Sequence, residues 1–295
     1  MEEITVSCPG SCGELIQGYV NDIPYLVSCG IRLFSYVTVQ PYSSKKKLVG
    51  QKARRAIKLV EDYLNIPNEY RNMLEIDIQS ELSLSKGMAS STADVAATIY
   101  GIALYYGKNL TEKEIAFLCV QIEPTDSVFF NSMTEFDLKS ATVAKKSFWY
   151  PHFFVLMLEP ETNIETQKYH TKENETLAKE QAGLFKGVYE EYSHAVSEKN
   201  LDKLGEAATK SACLSQKILP KVHFEEILLL KENHQSIFGV NVAHSGTVIG
   251  ILLKNLTEVK EIQKKVSKLD VNDFYKKSGV YQSYFEGLKQ VVGEG

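Results

Sequence analysis

Residues 73–82, MLEIDIQSEL, alternate strictly: Leu74, Ile76 and Ile78 set against Glu75, Asp77 and Gln79. A period of two sends successive side chains to opposite faces, so this segment predicts a half-buried β-strand. Three earlier runs are β-prone: residues 4–8 (ITVSC), 24–29 (PYLVSC) and 31–39 (IRLFSYVTV). Val37, Thr38 and Val39 suit a pleated surface. Pro9-Gly10 predicts the end of the first run, and Gly30 a break between the other two. The period changes over residues 50–64, where Ala56, Leu59, Val60 and Tyr63 recur at helical spacing.

A second helix is predicted from about residue 89 to 106, with an apolar stripe of Val95, Ile99, Ile102 and Tyr106. Its opening residues, Ala89 to Ala93, are unusually small. Thr111 followed by Glu114 is a capping-box signature for a third helix, which runs to about Ile122 before Pro124 stops it. Residues 152–159 (HFFVLMLE) read as a buried strand, and helical patterns dominate from about 175 to 233. Residues 240–253 read as a hairpin of two apolar strands around His244-Ser245-Gly246, and 259–269 as a last helix. The order is α+β, strand-rich first and helical later. A change of character after Pro151 predicts two domains, residues 1–150 and 151–295.

Composition narrows the class. A chain of 295 residues with 44% apolar and 24% charged residues is long enough for two packed cores and too apolar for disorder. A net charge of −4 gives no global attraction for nucleic acid, so none is expected as a partner. The five cysteines, Cys8, Cys12, Cys29, Cys119 and Cys213, are odd in number and scattered, which argues against a disulfide framework. No signal-peptide pattern opens the sequence, and no apolar run reaches the ~18 residues of a membrane span. A cytoplasmic protein with no membrane partner is the expectation.

Four segments carry candidate chemistry. In LSKGMASSTAD, residues 84–94, a strand, a short Gly87 turn and a small-residue helix start combine. Unpaired N–H groups and partial positive charge at a helix N-terminus can hold phosphate. Ser90 and Ser91 offer oxygen ligands and Lys86 a point charge. A plain N-capped helix fits the same residues about as well. In IEPTDSVFF, residues 122–130, Asp126 follows a helix-stopping proline and can orient or deprotonate a hydroxyl, while Glu123 can take Mg²⁺. An ordinary turn also explains it. PGSCGELIQG, residues 9–18, reads as a tight turn between strands bracketed by Gly10, Gly13 and Gly18. AHSGTVIG, residues 243–250, is a Ser-Gly turn that can shape a pocket. P-loop, dinucleotide-binding and protein-kinase patterns are missing.

In this order the four segments resemble the GHMP family of small-molecule kinases, from Pro9 to about Gly250. The resemblance implies two α+β domains with the site in the cleft between them, ATP as donor and Mg²⁺ as cofactor. It assigns phosphate binding to Ser85, Lys86, Gly87, Met88, Ala89, Ser90, Ser91 and Thr92, and metal binding to Ser91 and Glu123, with Glu114 as a rival. It makes Asp126 and Lys86 catalytic, Asp126 at the acceptor hydroxyl and Lys86 against the leaving charge. It gives the acceptor to Ser11, Cys12, Gly13, Glu14, Thr125, Asp126, Tyr169, His244, Ser245 and Gly246. The forms PGSCGELIQG, KGMASSTAD and EPTDS are similar to the branch that phosphorylates L-threonine for the cobalamin aminopropanol linker. A kinase of another small alcohol such as homoserine, or a non-catalytic ligand sensor, are the alternatives. Oligomeric state is left open.

Overall fold

The computed structural model describes residues 3–42, 50–71, 73–161, 171–269 and 274–291. Its first two strands, β1 (Ile4–Val20) and β2 (Ile23–Pro41), form one long hairpin. The turn is Asn21-Asp22, both at positive φ (50° and 63°). Two such residues make the hairpin turn whose twist matches the flanking strands.

Pro9-Gly10 does not end β1 as predicted. The register shifts between Pro9 and Gly10, between Ser11 and Glu14, and between Glu14 and Ile16, and the strand continues. Irregularities of this kind absorb extra residues and tolerate a proline that cannot donate to the ladder. Gly30 likewise sits inside β2 and breaks nothing. Its carbonyl accepts from the Tyr284 N–H at 2.8 Å, and a Cβ there would overlap the Tyr284 carbonyl oxygen. Both segments provide close backbone approach where their glycines predicted a turn or a break.

α1 (Gln51–Tyr63) and β3 (Leu74–Ser80) follow, and β3 pairs with β2. α2 (Ser90–Tyr105) is buried almost all round, the pattern of a central helix. α3 (Glu112–Val120) carries the predicted capping box, Thr111 and Glu114 each satisfying the other's backbone N–H. Next come β4 (Met133–Asp137) and β5 (Val143–Ser147), a hairpin the sequence pattern did not reveal. β6 (Phe154–Glu159) matches the predicted buried strand. The helical stretch resolves into α4 (Lys172–Glu180), α5 (Ala182–Ser197), α6 (Leu201–Ser215) and α7 (Phe224–Asn233). The predicted hairpin is β7 (Ile237–Val242) and β8 (Ile249–Leu253), followed by α8 (Val259–Leu269), β9 (Lys277–Gln282) and β10 (Lys289–Val291).

Among the described residues, ten strands join one sheet in the order β5-β4-β2-β1-β7-β8-β6-β9, with β10 added to β1 and β3 to β2. The link between β1 and β7 is short, Glu14 opposite Val242, and β10 pairs with β1 from Thr5 to Ser7. The main core runs under β1, β2 and α2, and a second core beyond residue 150 gathers Leu156, Ile227, Val240, Ile251 and Ile262. Each such side chain contributes about 1.5–3 kcal/mol on burial. The edge-on rings of Phe129, Phe130 and Phe136 anchor the chain just after Asp126. No helix among the described residues is long and apolar enough to cross a membrane.

Candidate active site

The loop before α2 is built from alternate left-handed residues: Ser85 (φ 60°), Gly87 (φ 85°) and Ala89 (φ 54°). Ala89 is the residue that caps α2, and no side chain satisfies the helix start. The N–H groups of Ser90, Ser91 and Thr92 therefore meet the loop cavity at the positive end of the helix dipole.

Neighbouring glycines hold this loop in place. Ser11 N–H donates to the Met88 carbonyl at 3.0 Å and Gly13 N–H to the Gly87 carbonyl at 3.3 Å. From the other side, Thr247 and Val248 N–H groups donate to the Lys86 carbonyl at 2.8 and 3.1 Å. A Cβ on Gly87 would overlap Ala243, and one on Gly246 would overlap the Gly87 backbone. A Cβ on Gly13 would come within 2.6 Å of the Ala243 nitrogen. The three glycine-bearing segments thus interlock backbone to backbone, a contact only hydrogen side chains permit. Lys221, buried behind the turn, donates to the Gly246 carbonyl at 2.9 Å, and burial pushes its pKa down to about 7.

A cavity of about 590 Å³ opens in front of the loop. Thr92 projects from α2 and joins it to the EPTDS segment. Its hydroxyl donates to Asp126 Oδ2 at 3.3 Å and accepts from the Asp126 N–H and the Thr125 hydroxyl, each at 3.2 Å. Burial raises the Asp126 carboxyl to about 6, helped by the Glu123 charge and opposed by the Thr92 bond. Ser91 donates to Glu123, and the Lys52 ammonium from α1 reaches both, at 2.8 Å from Ser91 Oγ and in an ion pair with Glu123. Asp94 also lines the cavity, takes a hydrogen bond from Ser35 at 2.5 Å, and is raised by burial.

Seven of the eight predicted phosphate residues line this cavity, together with Thr125, Asp126, Glu123, His244 and Ser245. Lys86 does not. Its ammonium turns away to the carbonyls of Pro160 and Glu161, at 2.5 and 2.8 Å, so the predicted charge on a leaving phosphate is not brought there. The reason is local: the buried ammonium needs acceptors, and these two carbonyls just after β6 supply them. Ser11, Cys12 and Gly13 are buried under the loop and support it rather than face a cavity. Glu14 is buried too, one carboxylate oxygen having no hydrogen-bond partner; burial raises its pKa well above the usual range, and the Asp126 charge adds to this. Glu114 lies away from the cavity, its carboxylate engaged by Thr111 and Tyr63 and its pKa lowered by the Thr111 backbone bond. Tyr169 lies outside the described residues.

A second cavity, about 280 Å³, shares Pro124, Leu138 and His244 with the first. Gln17, Tyr25, Lys139, Glu175 and Gln181 help line it. His244 Nδ1 lies 2.6 Å from Gln17 Oε1, tying the late turn to β1 at the junction. Sequence reasoning missed these residues and Lys52. Gln17 stood within a motif already singled out, whereas the rest sit on segments with no chemical signature.

Residues 51–132 match the GHMP kinases N terminal domain. The chain is 38% identical over 249 residues to an L-threonine kinase of Citrobacter freundii, covering 83% of this chain and 85% of that protein. It is 34% identical over 285 residues to an L-threonine kinase of Salmonella typhimurium, covering 96% and 94%. Its fold is similar to the crystal structure of Lactococcus lactis galactokinase complexed with galactose, with a TM-score of 0.74, 11% identity, and coverage of 98% and 95%.

Proposed function

The chain belongs to the GHMP kinase family, and from that membership we propose that it transfers the γ-phosphoryl group of ATP to the side-chain hydroxyl of L-threonine. The products are O-phospho-L-threonine, the precursor of the cobalamin aminopropanol linker, and ADP. Two relatives named L-threonine kinase, each similar over most of both chains, support the choice of acceptor.

The observation that carries the reading is the Thr92 bridge. It fixes Asp126 beside the same helix start that offers N–H donors to phosphate. Phosphoryl transfer through a loose transition state needs mostly positioning and charge stabilisation. The hydroxyl oxygen of threonine bonds to the γ-phosphorus as the bond to the β,γ-bridging oxygen breaks, and ADP carries away that electron pair. Asp126, poised near pH 6, orients the hydroxyl and accepts its proton. The N–H groups of Ser90, Ser91 and Thr92 hold the phosphate oxygens in line. Without Lys86, the positive charge near the phosphates comes from the helix start and Lys52.

Among the described residues no cluster of three or more His, Cys, Asp and Glu side chains could hold a metal. A nucleotide-bound Mg²⁺ needs fewer, one or two protein oxygens plus phosphates. Ser91 and Glu123 fit that need, since their oxygens already converge on a cation, the Lys52 ammonium. They would hold Mg²⁺, whose chemistry is to neutralise phosphate oxygens. The same reading takes residues 1–150 as the ATP-binding unit and 151–295 as the second unit, which has a core of its own and also sends Phe185, Tyr192 and Phe238 into the main core. A cytoplasmic setting suits four buried thiols.

ADP release with a panel of hydroxy-amino acids tests the proposal. L-Threonine is expected to be turned over best. Much faster turnover of L-serine or L-homoserine would move the acceptor, and ATP binding with no ADP release from any acceptor would make the protein a sensor.

A further inference from the structure

The smaller cavity has a charge pattern that the phosphate site does not explain. Glu175 Oε1 lies 3.1 Å from Lys139 Nζ and 3.1 Å from Lys179 Nζ, so two ammonium groups share one carboxylate at its rim. The rim therefore presents charges of both signs side by side. Deeper in, Gln181 is only 8% exposed and its side-chain carbonyl oxygen has no hydrogen-bond partner. A buried acceptor left open beside a cavity is costly unless something donates to it. Phe185, Leu214 and Ile218 give the lining an apolar wall as well.

We propose that this cavity recognises the acceptor as a zwitterion, with its carboxylate on Lys139 and its ammonium on Glu175 and the Gln181 carbonyl oxygen. The assignment rests on the reading of the chain as an amino-acid kinase and adds the residues that select an α-amino acid. Connectivity sets the direction of the bound molecule. Leu138 lines both cavities, and its carbonyl accepts from the Thr125 N–H at 3.3 Å, next to Asp126. Lys139 is the following residue, and the acceptor is oriented with its head group there and its hydroxyl toward the phosphate side of Leu138, where Asp126 lies. The apolar wall receives the methyl group. Lys139, Glu175 and Gln181 are specificity residues: they touch the acceptor, not the reacting atoms.

The test is functional-group deletion on both partners. Lys139→Met and Glu175→Gln are compared with wild type on L-threonine, on L-threoninamide, which lacks the carboxylate, and on (R)-3-hydroxybutanoate, which lacks the ammonium. Lys139 and Glu175 are both partly exposed, so each variant is expected to fold. Lys139→Met is expected to raise KM for L-threonine about tenfold or more, leave KM for ATP unchanged, and lose the wild-type preference for threonine over its amide. Lys139→Arg is expected to recover most of that preference. Glu175→Gln is expected to shrink the penalty for the missing ammonium and not that for the missing carboxylate. An unchanged KM and an unchanged amide penalty in Lys139→Met overturn this assignment while leaving the proposed reaction intact. A wild type that phosphorylates no hydroxy-amino acid overturns both.

Discussion

Thr92 and Asp126 contact each other twice, through the threonine hydroxyl to Oδ2 at 3.3 Å and through the Asp126 N–H to that hydroxyl at 3.2 Å. Thr92 belongs to the first turn of α2, whose open N–H groups face the phosphate cavity. One side chain thus fixes the acceptor carboxylate relative to the donor cradle. Asp126→Asn is expected to lower kcat a hundredfold or more and leave KM for ATP nearly unchanged, measured by steady-state ADP release. A loss below about tenfold, roughly 1.4 kcal/mol, would remove Asp126 from the proton path.

The same contact sets the pH profile. Asp126 must be ionised to accept a proton, so kcat is expected to rise with pH through about 6. The Thr92 hydroxyl stabilises the ionised form. Thr92→Val is therefore expected to move the acid limb to higher pH, and Asp126→Asn to abolish it.

Stability should show the opposite trend. The folded-state pKa of Asp126 lies above its ordinary value of 3.8, so the native state binds the proton more tightly than the unfolded chain. Its contribution is then most favourable below about pH 4 and declines as pH rises to about 6, by on the order of 2–3 kcal/mol. Asp126→Asn, which cannot ionise, is expected to melt higher than wild type at pH 8 and to lose that advantage near pH 4, by thermal denaturation.

Glycine substitutions should divide sharply by place. Gly87→Ala puts a methyl group into Ala243 at a backbone φ of 85°, and is expected to cost about 2 kcal/mol or more and to abolish ATP binding. Gly187 lies inside α5, and a methyl group there would meet nothing within 4 Å. Gly187→Ala is expected to raise stability by about 0.5–1 kcal/mol with kinetics unchanged. Chemical denaturation and nucleotide titration of both variants check the pair.

Glu123→Gln keeps the shape of the side chain and removes its charge. It is expected to raise the Mg²⁺ concentration for half-maximal activity about tenfold at saturating ATP. Lys52→Met, which frees the Ser91–Glu123 pair of its ammonium, is expected to lower it. A Mg²⁺ titration that is identical in all three proteins would remove Ser91 and Glu123 from the metal.

Periodicity exposed α1, whose buried Ala53, Ala56 and Val60 recur at helical spacing, and β3, whose apolar and polar residues alternate, while β7 and β8 showed as apolar runs on either side of a Ser-Gly turn. It missed β4 and β5 because β4, though buried along its whole length, carries Thr134, Glu135 and Asp137, which leave neither an apolar run nor an alternation to read. At the site, small residues announced the α2 start because phosphate binding demands backbone access there. Lys86 attracted attention because a lysine in a phosphate loop looks functional, while its ammonium is taken up by the Pro160 and Glu161 carbonyls, 74 and 75 residues away. Lys139, Glu175 and Gln181 left no mark, since their meaning arises only when β4, α4 and α5 meet around one cavity.

The interlock of Gly13, Gly87 and Gly246 has a consequence for biosynthesis. No stretch of chain shorter than about residue 248 contains all the groups that hold the loop before α2 in its left-handed course. Contacts of such long sequence separation form late, after local helices and hairpins. A chain still emerging from the ribosome thus has the loop sequence but not the loop shape, and nucleotide capture marks the moment when the last hairpin docks.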